Sequence, residues 1–145
     1  MPKEIIEVNF RVAVKAFIVH NDKLLLLKRA SDDIQKPNIW EIPGGRLNLG
    51  EDPILGIMRE IKEETGLYIT PKVPLSVRHF VRVDEQVITM LVFFCKPTGG
   101  DLKISEEHSD IQWIPIENVK NCLNEFFHKE VDIYNKLNLH NLTDF

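Results

Sequence analysis

The stretch Gly45–Leu67, GRLNLGEDPILGIMREIKEETGL, decides how this chain is read. Asp52 suits an N-cap and Pro53 the first helical position, where a missing N–H costs nothing. Gly66 fits a left-handed C-terminal cap. Between them the spacing predicts a helix of roughly a dozen residues. At about 100° per residue, Ile54, Leu55, Ile57, Met58 and Ile61 cover one broad face, expected to be buried. Glu60, Glu63 and Glu64 gather on the other, since spacings of three and four put side chains on neighbouring turns. Arg59 precedes Glu63 by one turn, at salt-bridging distance.

Such a cluster suits a solvated acidic face, where like charges on a helix cost only about 0.2–0.5 kcal/mol per pair. It equally suits a metal site. Glu63 and Glu64 sit in the last turn, where the helix dipole disfavours anions by about 0.3–1 kcal/mol each. In a half-buried cleft, like charges about 4 Å apart repel by about 4 kcal/mol at an effective dielectric of 20. A hard divalent cation relieves both penalties. Helix geometry alone leaves both readings open.

The full spacing narrows them. Gly45, five residues, Glu51, seven residues, then Arg59-Glu60-Ile61-Lys62-Glu63-Glu64-Thr65-Gly66-Leu67 resembles the signature of the Nudix hydrolase family at every specified position. A chance match of the fixed letters at one place is on the order of one in 10⁸. The approach Trp40-Glu41-Ile42-Pro43-Gly44-Gly45 is similar to that of the family's MutT-type members. The resemblance implies an α/β fold with a mixed sheet, the α/β/α Nudix sandwich. It implies hydrolysis of a nucleoside diphosphate linked to another moiety, with Mg²⁺ or Mn²⁺ as cofactor. It makes Glu63 and Glu64 direct metal ligands, with the Gly44 carbonyl beside them. Glu60 is then either a ligand through water or the general base, and Arg59 orients Glu51 or Glu60. Another acidic residue comes from a loop ahead of a strand that carries a tryptophan. Glu106-Glu107 precede Trp113 in that way, and Glu107 is the choice.

The rest of the chain reads as scaffold for this stretch. Its 145 residues suit one domain, 1–145, and 43% hydrophobic with 28% charged residues is a globular composition. The net charge of −4 gives no basic footprint for nucleic acid or an anionic membrane. The start lacks a signal-peptide layout and no apolar run approaches a membrane span, so a cytoplasmic protein is expected. Cys95 and Cys122 lack metal or redox spacing and are expected to be small core hydrophobes.

Val8–His20 reads as a strand that returns through Asn21-Asp22 into Lys23–Arg29. Ala30–Asn38 is a loop, and Trp40–Pro43 enters the Gly-Gly turn. Thr70-Pro71 and Pro74 break the chain after the helix. Leu75–Val83 and Gln86–Cys95 form a second hairpin. Pro97–Gly100 is a turn and Leu102–Asp110 an acidic loop before a short strand, Ile111–Ile114. Pro115–Leu123 holds a short helix. Asn124–Leu137 is a longer one with Phe127, Val131, Tyr134 and Leu137 inward, followed by a frayed tail beyond Asn138.

Candidate substrate contacts are Arg29, at the end of the second strand, and Arg78, Phe80 and Arg82 on one later strand. The five histidines show no ligand spacing and are assigned to the surface. Trp40 and Trp113 are assigned to the core. Marks typical of ADP-ribose, diadenosine polyphosphate, coenzyme A and NADH hydrolases are missing outside the motif. By elimination the expected substrate is a nucleoside triphosphate, split to a monophosphate and pyrophosphate. ADP-ribose or a nucleotide sugar is the alternative, as is a nucleotide-sensing module without turnover. Family members often form homodimers.

Overall fold

The computed structural model describes residues 9–32 and 37–139. Seven strands and two α-helices follow one another as β1 (Phe10–His20), β2 (Lys23–Arg29), β3 (Trp40–Glu41), β4 (Gly44–Arg46), α1 (Pro53–Thr65), β5 (Leu67–Val81), β6 (Val87–Gly100), β7 (His108–Pro115) and α2 (His128–Lys136). Two 3₁₀ segments, Ile116–Asn121 and Glu125–Phe127, precede α2. The sheet order is β3-β2-β1-β6-β5, with β4 on β1 and β7 on β2. The β1–β6 pair is parallel and the others are antiparallel, so the sheet is mixed, as expected.

Both faces of this sheet are covered, which explains why β1 and β2 are apolar at nearly every position rather than alternately. Ala13, Phe17, Val19, Leu24 and Leu26 face a core completed by Val131 and Tyr134 of α2. Val14, Ala16, Ile18, Leu25 and Leu27 face a second core completed by Ile57 and Ile61 of α1. The result is the α/β/α sandwich.

Helix α1 begins and ends as its sequence predicts. The Asp52 carboxylate accepts from the Ile54 and Leu55 N–H groups, and the Gly66 N–H donates to the Lys62 carbonyl at 3.0 Å. Gly66 is left-handed, with φ of 78°, and a Cβ there would lie 2.2 Å from the Asp101 carbonyl oxygen. The helix is rotated from the expected burial, however. Ile57 and Ile61 are fully buried, but Leu55 is 65% exposed and Ile54 and Met58 are exposed too. The inward face carries Gly56, Ile57, Ile61, Glu64 and Thr65. Carboxylate and apolar residues therefore share the face that meets the sheet, and apolar residues are left outside.

Five further expectations change. Pro71 and Pro74 do not break β5, which runs through both with register shifts beside them. It lies at the end of the sheet order, and edge strands tolerate a missing donor. Pro97–Gly100 is not a turn but the end of β6, paired with Leu67–Ile69. Strand β7 is longer than Ile111–Ile114, because pairing with β2 extends from Pro115 to His108. The last helix is divided into a 3₁₀ turn and α2, with Phe127, Val131 and Tyr134 inward but Leu137 exposed. Cys95 is buried and Cys122 exposed. The expected start at Val8, His140 and the tail from 140 onward lie outside the described residues.

Candidate active site

Residues from β1, β4, α1, β5, β6 and the turns before β7 and α2 line a cleft of about 770 Å³. Part of its lining is acidic, with Glu60, Glu64 and Glu107, and part is apolar and aromatic, with Phe80, Ile88, Met90, Phe126 and Phe127; Arg11, Lys15, Arg29, Arg46 and Arg82 also line it. Lys15 lies near groups of both kinds, its Nζ 5.9 Å above the Phe127 ring and 3.7 Å from Glu41.

Glu64 is delivered by the last turn of α1 into the sheet and is 8% exposed. The Gly44 N–H donates to its carboxylate at 2.8 Å. Burial pushes its carboxyl up to about 7, against the opposing pull of Lys15 and the Gly44 N–H. That approach depends on glycine. Gly44 has φ of 144°, and a Cβ would lie 2.0 Å from the Val14 carbonyl oxygen. Glu60 is also pushed up by burial, an effect that Arg59 opposes and Glu63 adds to.

Arg59 lies among three carboxylates. It grips Glu51 with two bonds of 2.7 and 2.8 Å and reaches Glu60 at 3.2 Å and Glu63 at 3.1 Å. The hydrogen bonds from Arg59 hold the Glu51 carboxyl at about 2. The structure thus brings Gly44, Glu60, Glu64 and Glu107 to the cleft. Glu63, with its side chain 61% exposed, is on the rim against Arg59 and does not line the cleft.

The candidate arginines separate in the same way. Arg29 lines the cleft and donates to Glu41 at 3.1 Å. Arg82 also lines it, just beyond the end of β5 rather than within the strand. Its Nε is 3.5 Å from Asp84, buried and without a hydrogen-bond partner. Arg78 does not line the cleft but lies behind its aromatic wall, against Phe126 and Glu130.

Three residues of the site carried no signal strong enough to single them out. Glu41 is buried, 3.1 Å from Arg29, 3.2 Å from His108 and 3.7 Å from Lys15. Burial would raise its carboxyl, but Lys15, the His108 hydrogen bond and Arg29 together hold it at about 2. Lys15 is buried, and its polarity within an apolar strand was the available clue. His108, assigned to the surface, is instead buried beside Glu107, because β7 starts at that residue. The Glu41 carboxylate can only accept, so His108 Nε2 is the donor between them. His20 and His79 are exposed as expected, while His128 is half-buried and bonds to the Leu123 carbonyl.

The profile of the NUDIX domain matches residues 9–133. The chain belongs to the Nudix family. A "MutT-like protein" of Streptomyces ambofaciens is 34% identical, over 80% of this chain and 71% of that protein. "Nucleoside triphosphatase NudI" of Enterobacter sp. (strain 638) is 35% identical, over 79% of this chain and 89% of that protein. The solved structure of a MutT protein from Methanosarcina mazei Go1 superimposes with a TM-score of 0.79 at 26% identity, covering 92% of this chain and 99% of that one. As a Nudix hydrolase the protein acts on phosphorus-containing anhydrides, and the family's substrates are nucleotide small molecules. No helix among the described residues is long and apolar enough to cross a membrane.

Nudix hydrolases generally use a divalent metal, and donor chemistry tests whether these residues suit one. Ligand atoms of Glu64, Glu107 and His108 lie within 4.8 Å of one another. Two of the three are hard carboxylate oxygens, while His108 Nε2 is committed to Glu41. Among the described residues no cation pairs directly with the buried Glu64, so its charged form is disfavoured until a cation arrives. The donors fit a divalent cation.

Proposed function

We propose that the protein hydrolyses nucleoside or deoxynucleoside triphosphates to the monophosphate and pyrophosphate, with Mg²⁺ or Mn²⁺. The observation that carries this reading is a single cleft whose lining combines carboxylates, cations and aromatic rings. A nucleotide carries the matching groups, a polyphosphate and a planar base. Arg82 adds support, because a buried donor without an acceptor costs about 1–3 kcal/mol. A phosphate oxygen would satisfy it.

Glu64, the Gly44 carbonyl and Glu107 would hold the metal, with Glu60 and Glu63 completing the carboxylate set. The bound metal supplies charge neutralisation at the phosphoryl oxygens. Glu60 accepts the proton of the attacking water, and its raised carboxyl suits that task. One P–O bond forms to the water oxygen, one anhydride P–O bond breaks, and pyrophosphate leaves. Arg59 anchors Glu60 through the Glu51 pair, which keeps the base from swinging out of the cleft. Lys15 and Arg29 hold Glu41 ionised, which fixes His108 beside Glu107.

Product analysis after incubation with Mg²⁺ and a panel of nucleotides tests the reading, with Glu64→Gln as the blank. The panel holds canonical and oxidised triphosphates, ADP-ribose, diadenosine polyphosphates, NADH and a nucleotide sugar. Monophosphate plus pyrophosphate from a triphosphate, lost in the variant, is the expected result. Cleavage of ADP-ribose or a nucleotide sugar alone would replace the triphosphate by that substrate. Tight binding without turnover would make the protein a sensor.

A further inference from the structure

One buried charge pair lies outside the reaction machinery. Glu130, on α2, is fully buried, and Arg78, on β5, pairs with it at 2.9 Å. Ser76 donates to the same carboxylate at 2.6 Å. Replacing a buried ion pair by apolar residues is often neutral or stabilising, so such a pair is weak evidence for stability alone. Its geometry shows what it fixes. The same Arg78 Nη1 donates to the Phe126 carbonyl at 2.8 Å, and the guanidinium lies 4.1 Å from the centre of the Phe126 ring. Phe126 meets Phe80 edge-on at 5.3 Å, and both line the cleft. Both the backbone and the ring of one cleft residue are therefore held by one guanidinium, itself anchored by Glu130.

We infer that Phe126 is the platform on which the substrate's base stacks, and that Arg78 is a positioning residue that holds this platform through Glu130. The inference rests on the nucleotide reading of the cleft. Phe126 belongs to a 3₁₀ turn of only Glu125–Phe127, which few internal hydrogen bonds would hold in place. The Asn124 side chain accepts from the Phe126 N–H, and Arg78 adds a second constraint from the edge strand, on the carbonyl and the ring. A planar guanidinium can donate to the carbonyl and cover the ring at once, and a lysine can do only one of these well.

Binding without turnover tests the assignment. Calorimetric affinities would be measured for the four common nucleoside monophosphates and for ribose 5-phosphate, which has the phosphate but no base. The full-length wild type is expected to bind the best monophosphate about tenfold or more tightly than ribose 5-phosphate. Phe126→Leu keeps apolar volume and is expected to abolish most of that preference. Arg78→Met is expected to lower it about two- to tenfold, with Arg78→Lys recovering part of the loss. In turnover, Arg78→Met should raise KM for the nucleotide while kcat changes little. Equal weakening toward both ligands, or an unchanged preference in Phe126→Leu, would overturn the inference. Should Arg78→Met unfold, Phe126→Leu and Arg78→Lys still decide it. A preserved base preference with no triphosphate hydrolysis would reject the proposed reaction but keep the platform.

Discussion

The acidic and aromatic ends of the cleft are assembled from very different lengths of chain. Gly44, Glu60 and Glu64 come from one short stretch, joined by a glycine turn and a single helix, and Glu107 alone is brought to them from the segment before β7. Phe80, Ile88, Met90, Phe126 and Phe127 come from β5, β6 and the turn before α2, spread over the second half of the chain. The first end holds clustered carboxylates whose cost a divalent cation would meet. The second holds rings whose placement depends on a distant ion pair. A local motif can specify chemistry because helix geometry fixes its spacing in advance. Substrate selection needs contacts that only the folded sheet creates.

Neutralising one carboxylate at the acidic end separates the two ends most strongly. Glu64→Gln removes a charge that the Gly44 turn is built to receive. Turnover is expected to fall about 10²–10⁴-fold, since metal stabilisation of developing charge is worth several kcal/mol. Base preference in monophosphate binding should survive. Loss of both would show that the two ends are not separable. Glu107→Gln gives a milder contrast. Glu107 is exposed, so its variant should lower turnover well beyond its effect on melting temperature. Near-normal turnover would remove Glu107 from the mechanism.

The acidic end should also show itself in metal-free stability. A carboxyl raised from 4.5 to about 7 in the fold is neutral there at low pH and unwilling to ionise. Its favourable contribution is complete below about pH 4.5 and is lost as pH rises to about 7. The full effect is roughly 3 kcal/mol. Thermal melts in chelator should therefore show falling stability across this window. Glu41 and Glu51, held at about 2 in the fold, add stability as pH rises from about 2 to 4.5, so they offset the decline only at the lower edge of the window. Glu64→Gln should flatten the decline, and a divalent cation should reverse it. A wild-type profile unchanged from pH 4.5 to 7.5 would mean that Glu64 is better solvated than its burial implies.

The helix, its caps and the carboxylate cluster were legible in the sequence because capping and 3.6-residue spacing are local rules. The pairing of β1 with β2 was legible from the Asn21-Asp22 turn between two strand-like stretches. The rotation of α1 was not, because five apolar side chains allow more than one inward face and the choice belongs to the sheet. Ile54, Leu55 and Met58 were misplaced for that reason. His108 was hidden by an acidic stretch that reads as loop until β2 recruits it as a strand partner. Arg78 and Arg82, four residues apart, looked equivalent. Glu130 separates them, and no spacing links residue 78 to residue 130 in advance.

The smallest effect expected concerns Glu63 and Glu64, adjacent in sequence and opposite in exposure. Glu63 is the rim partner of Arg59, 3.1 Å away, in an i,i+4 pair whose exposed side is solvent-screened. Arg59 keeps its stronger grip on Glu51 when Glu63 is neutralised. Glu63→Gln should then reduce turnover about tenfold or less, with the loss appearing mainly as a weaker apparent metal affinity. Titrating activity with Mg²⁺ in both variants separates the two residues. If Glu63→Gln matches Glu64→Gln even at saturating metal, Glu63 leaves Arg59 in the working enzyme and becomes a full ligand. Arg59 would then be freed to follow the reaction rather than fixed beside it.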